Sequence, residues 1–433
     1  MNPSGDSIWH PYTRFSALQG GPLPVITHGE GAFLYDDQGR KYLDAISSWW
    51  ACNLGHGHPR IIEAIVRQTR ELQHSILGNL SHPRAIEVAS MITGLFPDDR
   101  RVMFASDGSC AVEAALKIAL QYWYNIGKVD KTKFVALDFA YHGDTLGAVS
   151  VGYLEHFHKP FKSALFPVFQ APSPCCGTCA FHQPGSVCLM ECFDTMRMIV
   201  KEHAHELAAV IIEPMCQGSG GMRIQNPEYL RRLAQLCHEE GVLLIADEIA
   251  MGMGRTGKMF ACDHAGVLPD IVCLGKSLSA GYLPISAAVA KTSLYETFSD
   301  KPDDHTFYHG HTFAGNPIAA AAAIETLRVY KEEGIVEQSA AMARVLESEL
   351  QPLAALPGVR NVRTLGMIGV VELEEDKEGR GSLRAGRVRD RLRENGILLR
   401  PLGPVIYVMP PLVTPEPVLR YLVQAVGKVV SES

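Results

Sequence analysis

VLLIADEIAMGMGRTGK, residues 242–258, sets five apolar residues directly before two adjacent carboxylates, Asp247 and Glu248, and then a glycine-rich loop. An apolar run this short, closed by a turn, reads as a strand buried on both faces. Ligands of open α/β sheets gather at the carboxyl ends of such strands, where Asp247 lies. Outward from this segment the same pattern recurs in VMFAS (102–106), FVALD (134–138), AVIIEP (209–214), IVCLGK (271–276) and ISAAVA (285–290), with helix-like stretches between most of them. That alternation predicts an α/β fold with a mainly parallel central sheet covered on both faces. The turn-rich start, as in YDDQGRKYLD (35–44), differs from this middle, as does the end, with its helical IVEQSAAMARVLESELQPL (335–353) and strands MIGVVEL and PVIYVMP. Both ends are expected to pack into one smaller α/β domain: residues 1–70 and 321–433, flanking a large domain over 71–320.

Composition narrows the function classes. The 433 residues are 47% hydrophobic and 20% charged, with a formal net charge of −7 and both signs scattered, so no nucleic-acid or membrane surface is expected. The N-terminus lacks the features of a secretory signal and no apolar run reaches the ~20 residues of a spanning helix, so the expected location is the cytoplasm. Eleven cysteines, an odd number, fit reduced thiols there.

Three elements carry the candidate chemistry. Asp247, shielded at a strand end, stays ionised if it faces a cation; alone it would read as an ion-paired or capping residue. DIVCLGK ends in Lys276, 29 positions after Asp247 (276 − 247), and burial there favours the neutral amine that Schiff-base chemistry requires. A lone strand-end lysine is more often a snorkelling surface residue. FASDGSCAVEAALKIALQYW (104–123) turns through Asp107, Gly108 and Ser109 into a helix whose first N–H groups favour a phosphate, although the same turn is also an ordinary N-cap. Together they describe a pyridoxal 5'-phosphate (PLP) site: Asp247 for the pyridine nitrogen, Lys276 for the aldehyde and proton transfer, and Gly108 and Ser109 for the phosphate.

With DEIAMGMGRTG, DIVCLGKSLSAGYLP, the DGS turn and HTFAGNP (311–317), the chain resembles the class III aminotransferases of PLP fold type I over nearly its whole length. The resemblance implies a homodimer with each active site at the subunit interface. His311 and Thr312 would come from the partner chain, Thr312 binding the phosphate and Gly310 adjoining the substrate. It also implies that Tyr141, in AYHGDT, stacks on the pyridine ring and that Glu213 lies close to the cofactor. IWHPYT (8–13), SSWWACNLGHGHP (47–59) and YHGDT resemble the branch that aminates 8-amino-7-oxononanoate to 7,8-diaminononanoate with S-adenosylmethionine as donor, a step of biotin synthesis. There Tyr12 and Trp49 would meet the substrate, and Arg400, in GILLRPLGPVIYVMPPL, would hold its carboxylate through two parallel hydrogen bonds. Trp50 receives no role. Lysine as donor, or an ω-amino-acid or diamine substrate, are the near alternatives; a non-catalytic PLP- or metal-binding protein is the remote one.

One stretch stands outside the family pattern. PSPCCGTCAFHQPGSVCLMEC holds Cys175, Cys176, Cys179, Cys188 and Cys192, with His182 among them. Cys176 and Cys179 followed by Cys188 have the local look of a zinc or iron–sulfur ligand set, but not the spacing of a two-pair knuckle; plain thiols are the alternative, and no metal ligand is assigned. The histidines of GHGHP, HGH and HAHE read as structural or solvated.

Overall fold

The structure is a computed structural model that describes residues 7–18, 23–175, 189–375 and 381–433. Its central sheet is built from β1 (Arg100–Ala105), β2 (Lys133–Leu137), β3 (Phe169–Ala171), β4 (Leu207–Ile212), β5 (Leu243–Asp247), β6 (Ile271–Leu274) and β7 (Ser286–Lys291), in the order β1-β7-β6-β5-β4-β2-β3. All neighbours are parallel except β7, which runs antiparallel to both β6 and β1. β1 therefore points the same way as β2 to β6, and those six strands end on one edge.

The six apolar runs read from the sequence are six of these strands. Every residue of β4, β5 and β6 is buried, as a sheet covered on both faces requires. Side chains alternate between the covers with period two. Phe134, Ala136, Ala209, Ile211 and Ile245 pack with the helix Gly108–Asn125. Their neighbours Val135, Leu137, Val210, Ile212, Leu244 and Ala246 pack with the helices Glu191–His203 and Pro227–Glu239.

The two chain ends meet in a second sheet. Ile26–Glu30, Phe33–Asp36 and Lys41–Asp44 form an antiparallel meander, and Ile397–Leu398 joins its last strand in parallel, pairing Ile397 with Leu43 and Leu398 with Asp44. A third sheet, Val359–Leu365, Ile368–Leu373 and Val405–Val408, is tied to the first segment by a bond from Met409 N–H to the Ala45 carbonyl, 2.7 Å. The helix Pro317–Glu332 packs against Pro59–Glu71 and Pro83–Thr93. Its start follows from its sequence: Pro317 needs no N–H partner in the first turn, and the Asn316 side chain accepts from the N–H groups of Ile318 and Ala319. Among the described residues, no helix is long and apolar enough to cross a membrane.

Ile211 is fully buried in β4, whereas Ile62 is 42% exposed on a helix. Ile211→Ala should lower the unfolding free energy by about 2–5 kcal/mol, and Ile62→Ala by less than about 1 kcal/mol. Urea unfolding checks this; equal losses would contradict the two-sided cover of the sheet.

Candidate active site

The common strand edge collects the residues that the sequence singled out. Asp247 is the last residue of β5; Glu213 follows β4 by one position and Lys276 follows β6 by two. Ile212 pairs with Ala246 and Asp247 with Cys273, so these ends lie side by side. Tyr141 lies beyond β2, and Gly108 and Ser109 open the helix beyond β1.

Each polar group here is held by a specific partner. Asp247 is buried; its Oδ2 lies 2.8 Å from His142 Nδ1, and its Oδ1 accepts the Ile249 N–H. Glu213 is also buried and accepts the N–H groups of Tyr141, at 3.0 Å, and Gly218, at 2.9 Å. Burial pushes its carboxyl up to about 7, reinforced by Asp247 and opposed by His142 and the two N–H donors. Burial likewise pushes the Lys276 amine below the usual lysine range, against the pull of Asp247, Glu213 and Asp144. Lys276 has φ 40°, a left-handed conformation that costs a non-glycine residue on the order of 1–3 kcal/mol and is typical of functional positions.

At the β1 edge, Asp107 caps the helix by accepting the Cys110 N–H at 3.1 Å. Ser109 Oγ accepts the Asp144 N–H at 3.0 Å. Gly143 passes so close that a Cβ there would stand 2.1 Å from Ser109 Oγ, so only glycine fits. This is a narrow backbone cradle at a helix N-terminus, suited to an anion.

A second group of side chains lies beside it. The Tyr12 hydroxyl donates to Asp144 Oδ1 and shares a hydrogen bond with Tyr141. Burial, then the Asp144 bond, pushes Tyr12 up to about 12; burial and Tyr12 also raise Tyr141. The Trp49 ring meets Tyr12 edge to face with centroids 5.8 Å apart. Arg400 lies over Trp49 at 4.5 Å, reaches Tyr12 at 5.8 Å, and donates to the Tyr12 carbonyl. Burial holds its guanidinium below the usual arginine range. Tyr12, Trp49, Tyr141 and Arg400 thus come together. Gly310, His311 and Thr312 do not join them: they lie on an exposed loop.

Several residues here carry no sequence role. His142, next to Tyr141, could have been found from its place in AYHGDT. Trp50 is buried, with its ring centroid 5.4 Å from Lys276 Nζ and its indole N–H donating to the Tyr407 hydroxyl at 3.2 Å. Ser47, Ser48, Trp49 and Trp50 all have positive φ, between 45° and 72°, forming one left-handed turn. SSWW contains neither glycine nor asparagine, so nothing in it announces this turn. Of the cysteine stretch, Cys176, Cys179, Cys188 and His182 lie outside the described residues; Cys175 and Cys192 are buried. Among the described residues no group of acids, histidines and cysteines could hold a metal ion.

Residues 16–430 match the family Aminotransferase class-III. An adenosylmethionine-8-amino-7-oxononanoate aminotransferase of Geobacter sulfurreducens is 39% identical over 429 residues, covering 97% of this chain and 95% of that protein. A protein of the same name from Synechococcus elongatus is 40% identical, covering 99% of this chain and all of that one. Among solved structures, the Methanocaldococcus jannaschii protein of that name superposes with a TM-score of 0.92 at 37% identity, covering 99% of this chain and 97% of that one. A PLP-bound amine transaminase from an uncultivated Pseudomonas species gives 0.93 at 32% identity, covering 99% of both chains.

Glu213 supplies a pH test. With an ordinary value of 4.5 and a folded value of about 7, the folded chain keeps a proton that the unfolded chain has released between those limits. Its contribution is present below pH 4.5 and lost as pH rises through 7, an effect on the order of 3 kcal/mol. Glu213→Gln lacks this titration, so its stability relative to the parent should rise between pH 5 and pH 7.5 in urea unfolding, whatever the constant offset from the altered acceptor. A difference independent of pH would contradict the raised value.

Proposed function

The chain belongs to the class-III aminotransferase family, and from that premise we propose that it uses pyridoxal phosphate to aminate 8-amino-7-oxononanoate to 7,8-diaminononanoate, with S-adenosylmethionine as donor. What carries the reading is the match along almost the entire chain to relatives of that name, combined with Arg400, Trp49 and Tyr12 beside Tyr141. The donor rests on the relatives' names alone.

The residues present fit the cofactor. Lys276 offers an amine kept below its usual pKa, Asp247 a carboxylate held by His142 with lone pairs to spare, and Gly108 and Ser109 a cradle closed by Gly143. When bound, pyridoxal phosphate supplies an aldehyde carbon for an amine and a ring that takes up the electron pair released from the substrate carbon. Asp247, fixed by His142, turns its carboxylate to the ring nitrogen. Lys276 Nζ accepts the proton leaving the substrate carbon and returns it on the far side of the transfer. Glu213, at about 7, sits beside them without adding a full charge at neutral pH. Arg400 binds the substrate carboxylate, while the edges of Trp49 and Tyr12 exclude water from the carbon chain.

The exposed loop with Gly310, His311 and Thr312 supports a homodimer in which this loop serves the partner's site. The location proposed is the cytoplasm, and the division at residues 70 and 320 belongs to the same reading.

Lys276→Ala should lower turnover at least about a thousandfold while non-covalent cofactor binding persists; substantial residual transamination sinks the assignment. Stopped-flow absorbance of the cofactor, with S-adenosylmethionine or lysine as sole donor, sorts the donors: rapid bleaching is expected with the former, and bleaching by lysine alone would replace it. Arg400→Lys should raise KM for 8-amino-7-oxononanoate roughly tenfold or more in steady-state assays, because an ammonium cannot reproduce the paired hydrogen bonds. An unchanged KM would remove Arg400 from the carboxylate site.

A further inference from the structure

The left-handed turn Ser47–Trp50 lies between the two halves of the site. Trp50 faces inward, toward Lys276, and Trp49 outward, under Arg400. Residues with a Cβ rarely adopt this conformation, so four in succession persist only where the surroundings hold them.

Three of the four are tied by their own polar groups. Ser47 Oγ donates to the Met409 carbonyl at 2.7 Å and accepts from Arg255. Trp50 bonds Tyr407 through its indole, and its carbonyl accepts from Ser277 Oγ. Ser48 Oγ donates to Asp44 Oδ2 at 2.7 Å, and the same oxygen lies 2.9 Å from His56 Nε2. The other Asp44 oxygen accepts the Ile46 N–H. Burial opposes charge on both groups, yet the contact holds Asp44 below the carboxylate range and lifts His56 to about 9. Asp44 is buried and ends the strand Lys41–Asp44, so it is a fixed anchor. The residue it restrains immediately precedes Trp49.

We infer that Asp44 and Ser48 are positioning residues: through the Ser48 hydroxyl the buried, His56-bound carboxylate holds the turn, keeps Trp49 against Arg400, and thereby sets affinity for the carboxylate-bearing acceptor. Neither residue touches that acceptor. The inference rests on the proposed function for its substrate and on the turn alone for its geometry.

Three variants separate the tether from the backbone strain. Ser48→Ala keeps the Cβ and loses the hydroxyl. Ser48→Gly loses both and removes the steric conflict, so it folds even if the alanine variant does not. Ser48→Asn tolerates the left-handed region and restores a donor for Asp44.

All are made in a Trp9→Phe background, because Trp9 is 97% exposed whereas Trp50 and Trp123 are buried, which leaves Trp49 as the indole open to iodide. Ser48→Ala and Ser48→Gly should raise iodide quenching about twofold and KM for 8-amino-7-oxononanoate about tenfold, with kcat within about threefold, and Ser48→Asn should restore the background values. Unchanged quenching, a raised quenching with unchanged KM, or a fall in kcat that matches the rise in KM overturns the inference. Failure of the background protein itself to aminate this acid counts against the proposed function, and quenching then decides the tether separately.

Discussion

Two buried carboxylates with a half-buried amine among them at one sheet edge are the constraint on which the rest of the structure depends. Burial of charge is costly unless each group is paired, hydrogen-bonded or neutralised. Here one group is hydrogen-bonded by a side chain and the other two are shifted toward their neutral forms. Asp247 is bonded by His142, Glu213 is pushed up to about 7, and Lys276 is pushed below the ordinary lysine range. A parallel arrangement makes this possible: β4, β5 and β6 are adjacent and end together, so Glu213, Asp247 and Lys276 fall within one another's field without any long loop to bring them there.

The backbone around this centre is strained at several of the candidate residues. Tyr12, Ser47 to Trp50, and Lys276 all have positive φ, at a cost on the order of 1–3 kcal/mol each. Such conformations survive because packing and hydrogen bonds over-determine them. Arg255 shows how: fully buried, it donates to the Pro410 carbonyl at 2.7 Å, to Asn53 and to Ser47, joining the first segment of the chain to the last beneath the turn. The smaller sheet, in which residues 397–398 pair with 43–44, brings Arg400 and Trp49 from opposite ends of the chain to one place.

The fold was legible because its signal is local. Runs such as VLLIA and IVCL are too short and too apolar for anything but strands of a covered sheet, and the Asp107 cap marks a helix at the residue where it begins. Lys276 and Asp247 were legible for the same reason, as polar residues at the ends of apolar strands. The SSWW turn was not, since its conformation is imposed by Met409, Tyr407, Asp44 and Arg255, up to 362 residues away. His142 lay between these cases: AYHGDT marks its neighbourhood through Tyr141, but its partner, Asp247, is 105 residues on. Thr312 and His311 were read from resemblance, and they lie on an exposed loop.

The central claim is that Lys276, among all the lysines, is the amine that joins the cofactor. Reduction of the cofactor-loaded protein with borohydride, followed by proteolysis and mass mapping, tests it most directly. The account predicts a single pyridoxyl group on the peptide containing Lys276. A pyridoxyl group on any other lysine, or none after reduction, would contradict it.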